Sequence, residues 1–136
     1  MKIQTKRQPG HARRGLSTVE LAVCLPVITL IVFASIEACS LVFLQQSLQT
    51  TAYETARFAV APNSVSSTAI DRGSQIITDR RIKSATIELD PKNMEKTDPG
   101  TLVVARVTAP LNSNRLIPAF FYGDQQLTAE VTMMKE

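Results

Sequence analysis

Hydrophobic and polar positions are distributed very unevenly along the 136 residues. Leu21 to Ile36 is a run of sixteen uncharged, mostly aliphatic residues, and the apolar character resumes at Ala38 and continues to Leu44. As a helix rising ~1.5 Å per residue, the uncharged run covers about 24 Å, and the resumed segment carries it past the roughly 30 Å of a bilayer's hydrocarbon. A buried helix of a soluble domain is usually shorter and keeps a polar stripe. The pattern therefore predicts a transmembrane helix over residues 16–44.

Beyond the run the period changes rather than ends. Leu41, Leu44, Leu48, Ala52, Ala56 and Ala59 recur at three-or-four spacing, Gln45, Gln46, Gln49, Glu54 and Arg57 fill the other face, and Pro62 closes the segment. This predicts that the same helix continues outside the membrane over residues 45–61, with an apolar stripe for a small head at 62–136. Within the head a second helix is expected from Ser67 to about Lys83, capped by Ser67 and weakened by Gly73. Three period-two segments follow: Ala85, Ile87, Leu89; Val103, Ala105, Val107; and Leu127, Ala129, Val131, Met133. Asp98-Pro99-Gly100 supplies turn chemistry between the first two, and Gly123-Asp124 precedes the third. The predicted fold class is α+β: a long N-terminal transmembrane helix continuing into a small head, whose short antiparallel sheet lies on the helix stripe. Without tryptophan or a disulfide, so small a core is expected to be marginally stable by itself.

Charge adds topology. The net charge is +3, yet Lys2, Lys6, Arg7, Arg13 and Arg14 all precede Gly15 with no acid among them, leaving ten basic and twelve acidic residues in the remainder. The basicity marks a leader and not a nucleic-acid surface. Basic residues stand just before the span and the next one after it is Arg57, which places the N-terminus in the cytoplasm and the head outside it. Residues 1–15, with Pro9, Gly10 and the sole histidine His11, read as a disordered leader, cleaved before the span if at all. Cys24 and Cys39 lie fifteen residues apart on one helix, about 22 Å, so they cannot bridge within the chain.

Gly15-Leu16-Ser17-Thr18-Val19-Glu20 is the most specific stretch: glycine directly after two arginines, then a hydrophobic residue, and a lone glutamate five positions after the glycine ahead of an apolar helix. It resembles a type IV prepilin cleavage and assembly motif. With Pro26 in the span, Ile36-Glu37 near its outer end and Tyr53-Glu54-Thr55-Ala56-Arg57 in the extension, the chain is similar to the TadE-like minor pilins, or pseudopilins, of the tight-adherence (Flp) pilus, although Leu21 stands where that family commonly has an aromatic. The resemblance implies cleavage between Gly15 and Leu16 by a membrane aspartic peptidase, the prepilin peptidase. It also implies Glu20 as an assembly and processing residue, other pilin and pilus-assembly subunits as partners, and a single-pass location in the bacterial inner membrane.

The same residues admit plainer readings. Ser17 and Glu20 have the spacing of a helix capping box. Glu37, about 25 Å beyond Glu20 at helical rise, is either an interfacial, snorkelling acid or a contact with another subunit. Leu116 to Tyr122 holds three of the seven aromatics and serves as core or as a docking patch. Glu88, Asp90, Glu95 and Asp98, on or near a predicted loop, read as solvated surface charge, with a cation site as the alternative. No histidine, cysteine or glycine-rich constellation suited to catalysis, a metal, a cofactor or a small-molecule substrate is present, so the expectation is a structural protein and not an enzyme. The alternative is a single-pass anchored protein whose head scaffolds or binds a partner without polymerising.

Overall fold

The computed structural model describes residues 11–115 and 125–136, and the chain divides into two compact units, Met1–Ile36 and Glu37–Glu136. Helix α1, His11–Val60, begins in the first unit and ends in the second. It starts five residues before the expected Leu16, so His11 to Arg14 are helical and not part of a disordered leader. Ala12, Arg13 and Arg14 are good helix formers, and an interior glycine such as Gly15 costs a helix only about 1 kcal/mol. Pro26 is accommodated inside α1 although it removes one backbone hydrogen bond. The hydroxyls of Thr29 and Ser35 donate to the carbonyls of Leu25 and Ile31, both at 2.8 Å, so neither presents an unmet donor along the apolar run.

In the second unit α1 buries the predicted stripe: Leu44, Leu48, Ala52, Ala56 and Ala59 are all buried. Burying a leucine contributes about 1.5–3 kcal/mol, and the alanines between let the sheet approach closely. A second row, Ser47, Thr51 and Thr55, is also fully buried, which the apolar period did not reveal. Helix α2, Ser66–Asp79, lies against this row. Its Gly73 makes the approach possible: a Cβ there would fall 2.7 Å from Ile87 Cδ1, 3.6 Å from Thr51 Cγ2 and closer still to Thr55 Oγ1. The glycine that weakens the helix as a local structure is the one its packing requires.

The expected limits of α2 shift for tertiary reasons. Its N-cap is Val65, not Ser67, and no side chain caps it. The neighbouring Ser66 hydroxyl instead donates to the Lys92 carbonyl at 2.7 Å and accepts from Met94 N–H at 2.9 Å. The helix stops at Asp79, short of Lys83, because the chain turns at Arg81, in a left-handed conformation (φ 55°), to put Ile82 into the core.

The sheet is antiparallel in the order β1-β2-β3, with β1 Thr86–Asp90, β2 Leu102–Pro110 and β3 Gln126–Met134. The period-two positions face α1 as expected. Val107, Ala109 and Ala129 pack with Leu44, Leu48 and Ala52, whereas Leu89, Val103 and Ala105 pack with Ala56 and Ala59. The expected turn is present, with Thr101 N–H donating to the Asp98 carbonyl and Gly100 at φ 87°. A 3-10 turn, Met94–Lys96, precedes it and sends Met94 fully into the core. The nearly buried Lys135 ammonium donates to the carbonyls of Met94 and Thr97 and holds that turn on the end of β3. Helix α3, Leu111–Asn114, follows β2. The Leu116–Tyr122 patch and Gly123-Asp124 lie outside the described residues.

Candidate functional site

Every residue from Gly15 to Ile36 is exposed, and none of the most apolar stretch of α1 is covered by protein. By length and composition this one helix, Gly15–Val60 in its described part, is long and apolar enough to cross a membrane. Leu16, Val23 and Leu30 are each about 70% exposed, at 72%, 69% and 70%. Such a surface is stable in lipid and costly in water.

The predicted processing residues sit on this surface. Gly15 is helical, and a Cβ added to it would meet nothing within 4 Å. Nothing in the chain's own packing therefore calls for glycine there. Glu20 is exposed and has no ion-pair or hydrogen-bond partner among the described residues. The capping-box reading of Ser17 and Glu20 is not realised: α1 already begins at His11, so both residues are interior and the Ser17 N–H lies beyond the first four orphan donors.

Glu37 belongs to the second unit and meets a residue that the sequence reading did not connect with it. Its Oε1 lies 3.7 Å from Arg115 Nε, with side-chain exposures of 20% for Glu37 and 5% for Arg115. The separation makes this an ion pair without a direct hydrogen bond. Four contacts hold Arg115 in place through α3. Asn114 Oδ1 accepts from Lys83 N–H at 2.7 Å, and Asn114 Nδ2 donates to the carbonyls of Lys83 and Pro110, each at 2.9 Å. Leu111 N–H donates to the Gln125 carbonyl at 2.9 Å. A sequence signal for the pair existed, since Arg115 is the lone base between Arg106 and Lys135. The 78 positions separating it from Glu37 hid the contact.

The outward face of the sheet is polar. Arg106 donates through Nε and Nη2 to Glu130 Oε2 at 3.1 and 2.9 Å, and Glu88 stands opposite Arg106 on β1. The hydrogen bond and charge of Glu130, with smaller contributions from Glu88 and Asp90, raise the guanidinium's pKa above its ordinary value. Thr108 and Thr128 share a hydrogen bond at 3.2 Å on the same face. Among the described residues no group of three or more His, Cys, Asp or Glu side chains is arranged to hold a metal ion.

The family model described as TadE-like protein matches residues 15–57, so this segment of the chain is similar to that family. No curated protein and no solved structure matches the chain.

Proposed function

We propose that this chain, similar to the TadE-like family over residues 15–57, is a prepilin-type minor pilin that is cut after Gly15 and takes part in assembling a tight-adherence pilus. The observation that carries the reading is Gly15 itself. The match begins there, the residue is exposed, and a side chain would meet no atom of its own chain, while an interior glycine costs a helix about 1 kcal/mol. A requirement for glycine must then come from another molecule, and a peptidase whose subsite excludes a side chain is such a molecule. In this reading the catalysis is done to the chain and not by it.

Cleavage would leave a new ammonium on Leu16 at the edge of the apolar run, and Glu20 is the acid placed near it. Roughly one and a half helical turns separate the two within one chain, so the amine of a neighbouring subunit, displaced along the axis, is the better partner. Opposite charges at ~4 Å attract by about 4 kcal/mol at an effective dielectric of 20, before desolvation is subtracted. Such a pair would fix the register of helices that apolar packing leaves free to slide.

The test is the mature N-terminus in a host carrying its own pilus machinery. Intact mass should place it at Leu16 in the wild type and at the precursor's own start in Gly15→Val, with membrane insertion unchanged. An unshortened wild-type chain would overturn processing and favour the second reading, an anchored scaffold that does not polymerise. Glu20→Gln should permit cleavage and reduce assembly, and Ser17→Ala should have the smaller effect.

A further inference from the structure

The charges of the head unit are sorted between its two ends. At one end Ile82 packs with Leu44, Leu48 and Leu111, and the turn that carries it brings Arg80, Arg81 and Lys83 to the surface. At the other end Met94 and Leu89 pack with Ala56 and Ala59, and the signs are mixed: Asp90, Glu95, Asp98 and Glu136 stand among Lys92, Lys96 and Lys135. The cations of the first end are not neutralised by the fold. Arg80 Nη1 donates to the Ser47 hydroxyl at 3.1 Å, Arg81 and Lys83 are exposed, and among the described residues no ion pair engages any of the three. Glu37, the acid at this end of α1, already faces Arg115.

The cationic end is also the one at which the chain enters the head. The Asn114 side chain bonds both the N–H and the carbonyl of Lys83, and the next residue, Arg115, faces Glu37. Glu37 is the first residue of the head unit and directly follows the apolar run. With that run in a bilayer, covalent continuity alone keeps this end of the head beside the membrane surface. Two large apolar side chains are left uncovered here, Val42 at 56% and Phe43 at 54% exposure. Phe43 lies one helical turn before Ser47 on the same face of α1, so an exposed ring and the guanidinium that holds Ser47 are neighbours. An apolar group beside a set of cations is the composition that binds at the boundary between acyl chains and acidic headgroups.

We propose that Arg80, Arg81 and Lys83 bind the phosphates of acidic phospholipids in the leaflet from which α1 emerges, with Val42 and Phe43 seated at the acyl boundary; the proposal rests on the reading that the chain is membrane-anchored. Lipid is the occupant because the chain itself ties the patch to that surface and because the charges are complementary. A guanidinium presents several donors in a fixed fork that suits phosphate oxygens, so Arg80 can serve a phosphate as well as Ser47. The attraction of an acidic leaflet for such residues fades within a Debye length, about 8 Å at physiological ionic strength, which restricts it to the end of the head held at the surface. The contact steadies the head against the bilayer and makes its stance depend on the acidic lipid present.

Thiol accessibility in the full chain tests it. In a Cys24→Ala, Cys39→Ala background, Ser84→Cys beside the patch is labelled with an uncharged, impermeant maleimide in vesicles of phosphatidylcholine alone or mixed equally with phosphatidylglycerol. Labelling should slow by about threefold or more in the acidic vesicles and recover in roughly 1 M salt, where the Debye length is about 3 Å. Asn93→Cys, at the mixed-charge end, should label equally in both. Arg81→Gln with Lys83→Gln should abolish the difference while the circular dichroism of the head is kept. Equal rates for Ser84→Cys in floating protein would overturn the lipid contact and leave the anchor intact. Slowing that survives the double substitution would overturn the assignment to this turn, and slowing reproduced by sodium phosphate in phosphatidylcholine vesicles would overturn lipid as the occupant. A chain that does not float with the vesicles would overturn the anchor and, with it, the contact.

Discussion

The two parts of α1 use similar residues to opposite ends. From Gly15 to Ile36 leucines, valines and isoleucines point outward on every side, and none is buried by protein. From Leu44 to Ala59 one stripe is buried against the sheet, a row of small polar residues meets α2, and the remaining face stays open with Gln46, Gln49 and Tyr53 exposed. The difference teaches that the environment each part needs is encoded in the angular spread of its apolar residues more than in their number. An apolar character that goes all round calls for lipid, and one confined to a stripe calls for a partner element.

The sharpest way to break this comparison is to truncate one leucine in each part. Leu48→Ala should destabilise the head by about 2–5 kcal/mol through lost burial and the cavity left behind. Leu25→Ala, on the uncovered part, should leave head unfolding within about 0.5 kcal/mol of wild type. Denaturant melts of both variants in micelles decide it, and equal losses would mean that the two parts fold as one unit.

Next in size is the ion pair at the first residue of the head unit. Removing one partner of a well-shielded pair takes away its attraction while the other charge stays desolvated, so Glu37→Gln or Arg115→Met should each cost about 3 kcal/mol. The double variant should recover much of that loss. Recovery absent from a double-mutant cycle would show that Glu37 is held by something other than Arg115.

Gly73→Ala should follow, at about 1–3 kcal/mol, because the new methyl overlaps Ile87 and Thr55 and this outweighs the alanine's better helix propensity. Combining it with Thr55→Ala, which removes the hydroxyl at the contact, should return part of the loss. A Gly73→Ala variant more stable than wild type would mean that α2 does not pack so closely.

The smallest effect belongs to Arg106. Its pKa is raised in the folded chain, so the stabilisation it carries is present below the unfolded value and is lost only as the pH climbs through the folded one, far above neutrality. Arg106→Gln should therefore produce the least change of the set, flat between pH 5 and 9 and smaller still in high salt, since the pair is exposed. A loss that survives high salt would indicate a packing role for its stem.

Much of this protein could be read from its sequence because local pattern alone carries the information. The length of the apolar run, the three-or-four stripe from Leu44 to Ala59, the alternation at Val103, Ala105 and Val107, and the turn at Gly100 each follow from the geometry of helix, strand or turn. The Gly15 to Glu20 stretch was legible as a candidate site for the same reason, since its meaning lies in spacing along one segment.

What only the tertiary structure decided depends on residues far apart in the chain. The burial of Ser47, Thr51 and Thr55 required knowing that α2 would lie on that side of α1, which also turned Gly73 from a helix weakness into a packing requirement. Ser66 gave its hydroxyl to Lys92 and Met94 instead of a helix cap, and Arg115 found Glu37 across 78 positions. In each case a polar group had several local options of similar free energy, and the fold selected among them by bringing a distant partner within hydrogen-bonding or ion-pairing range.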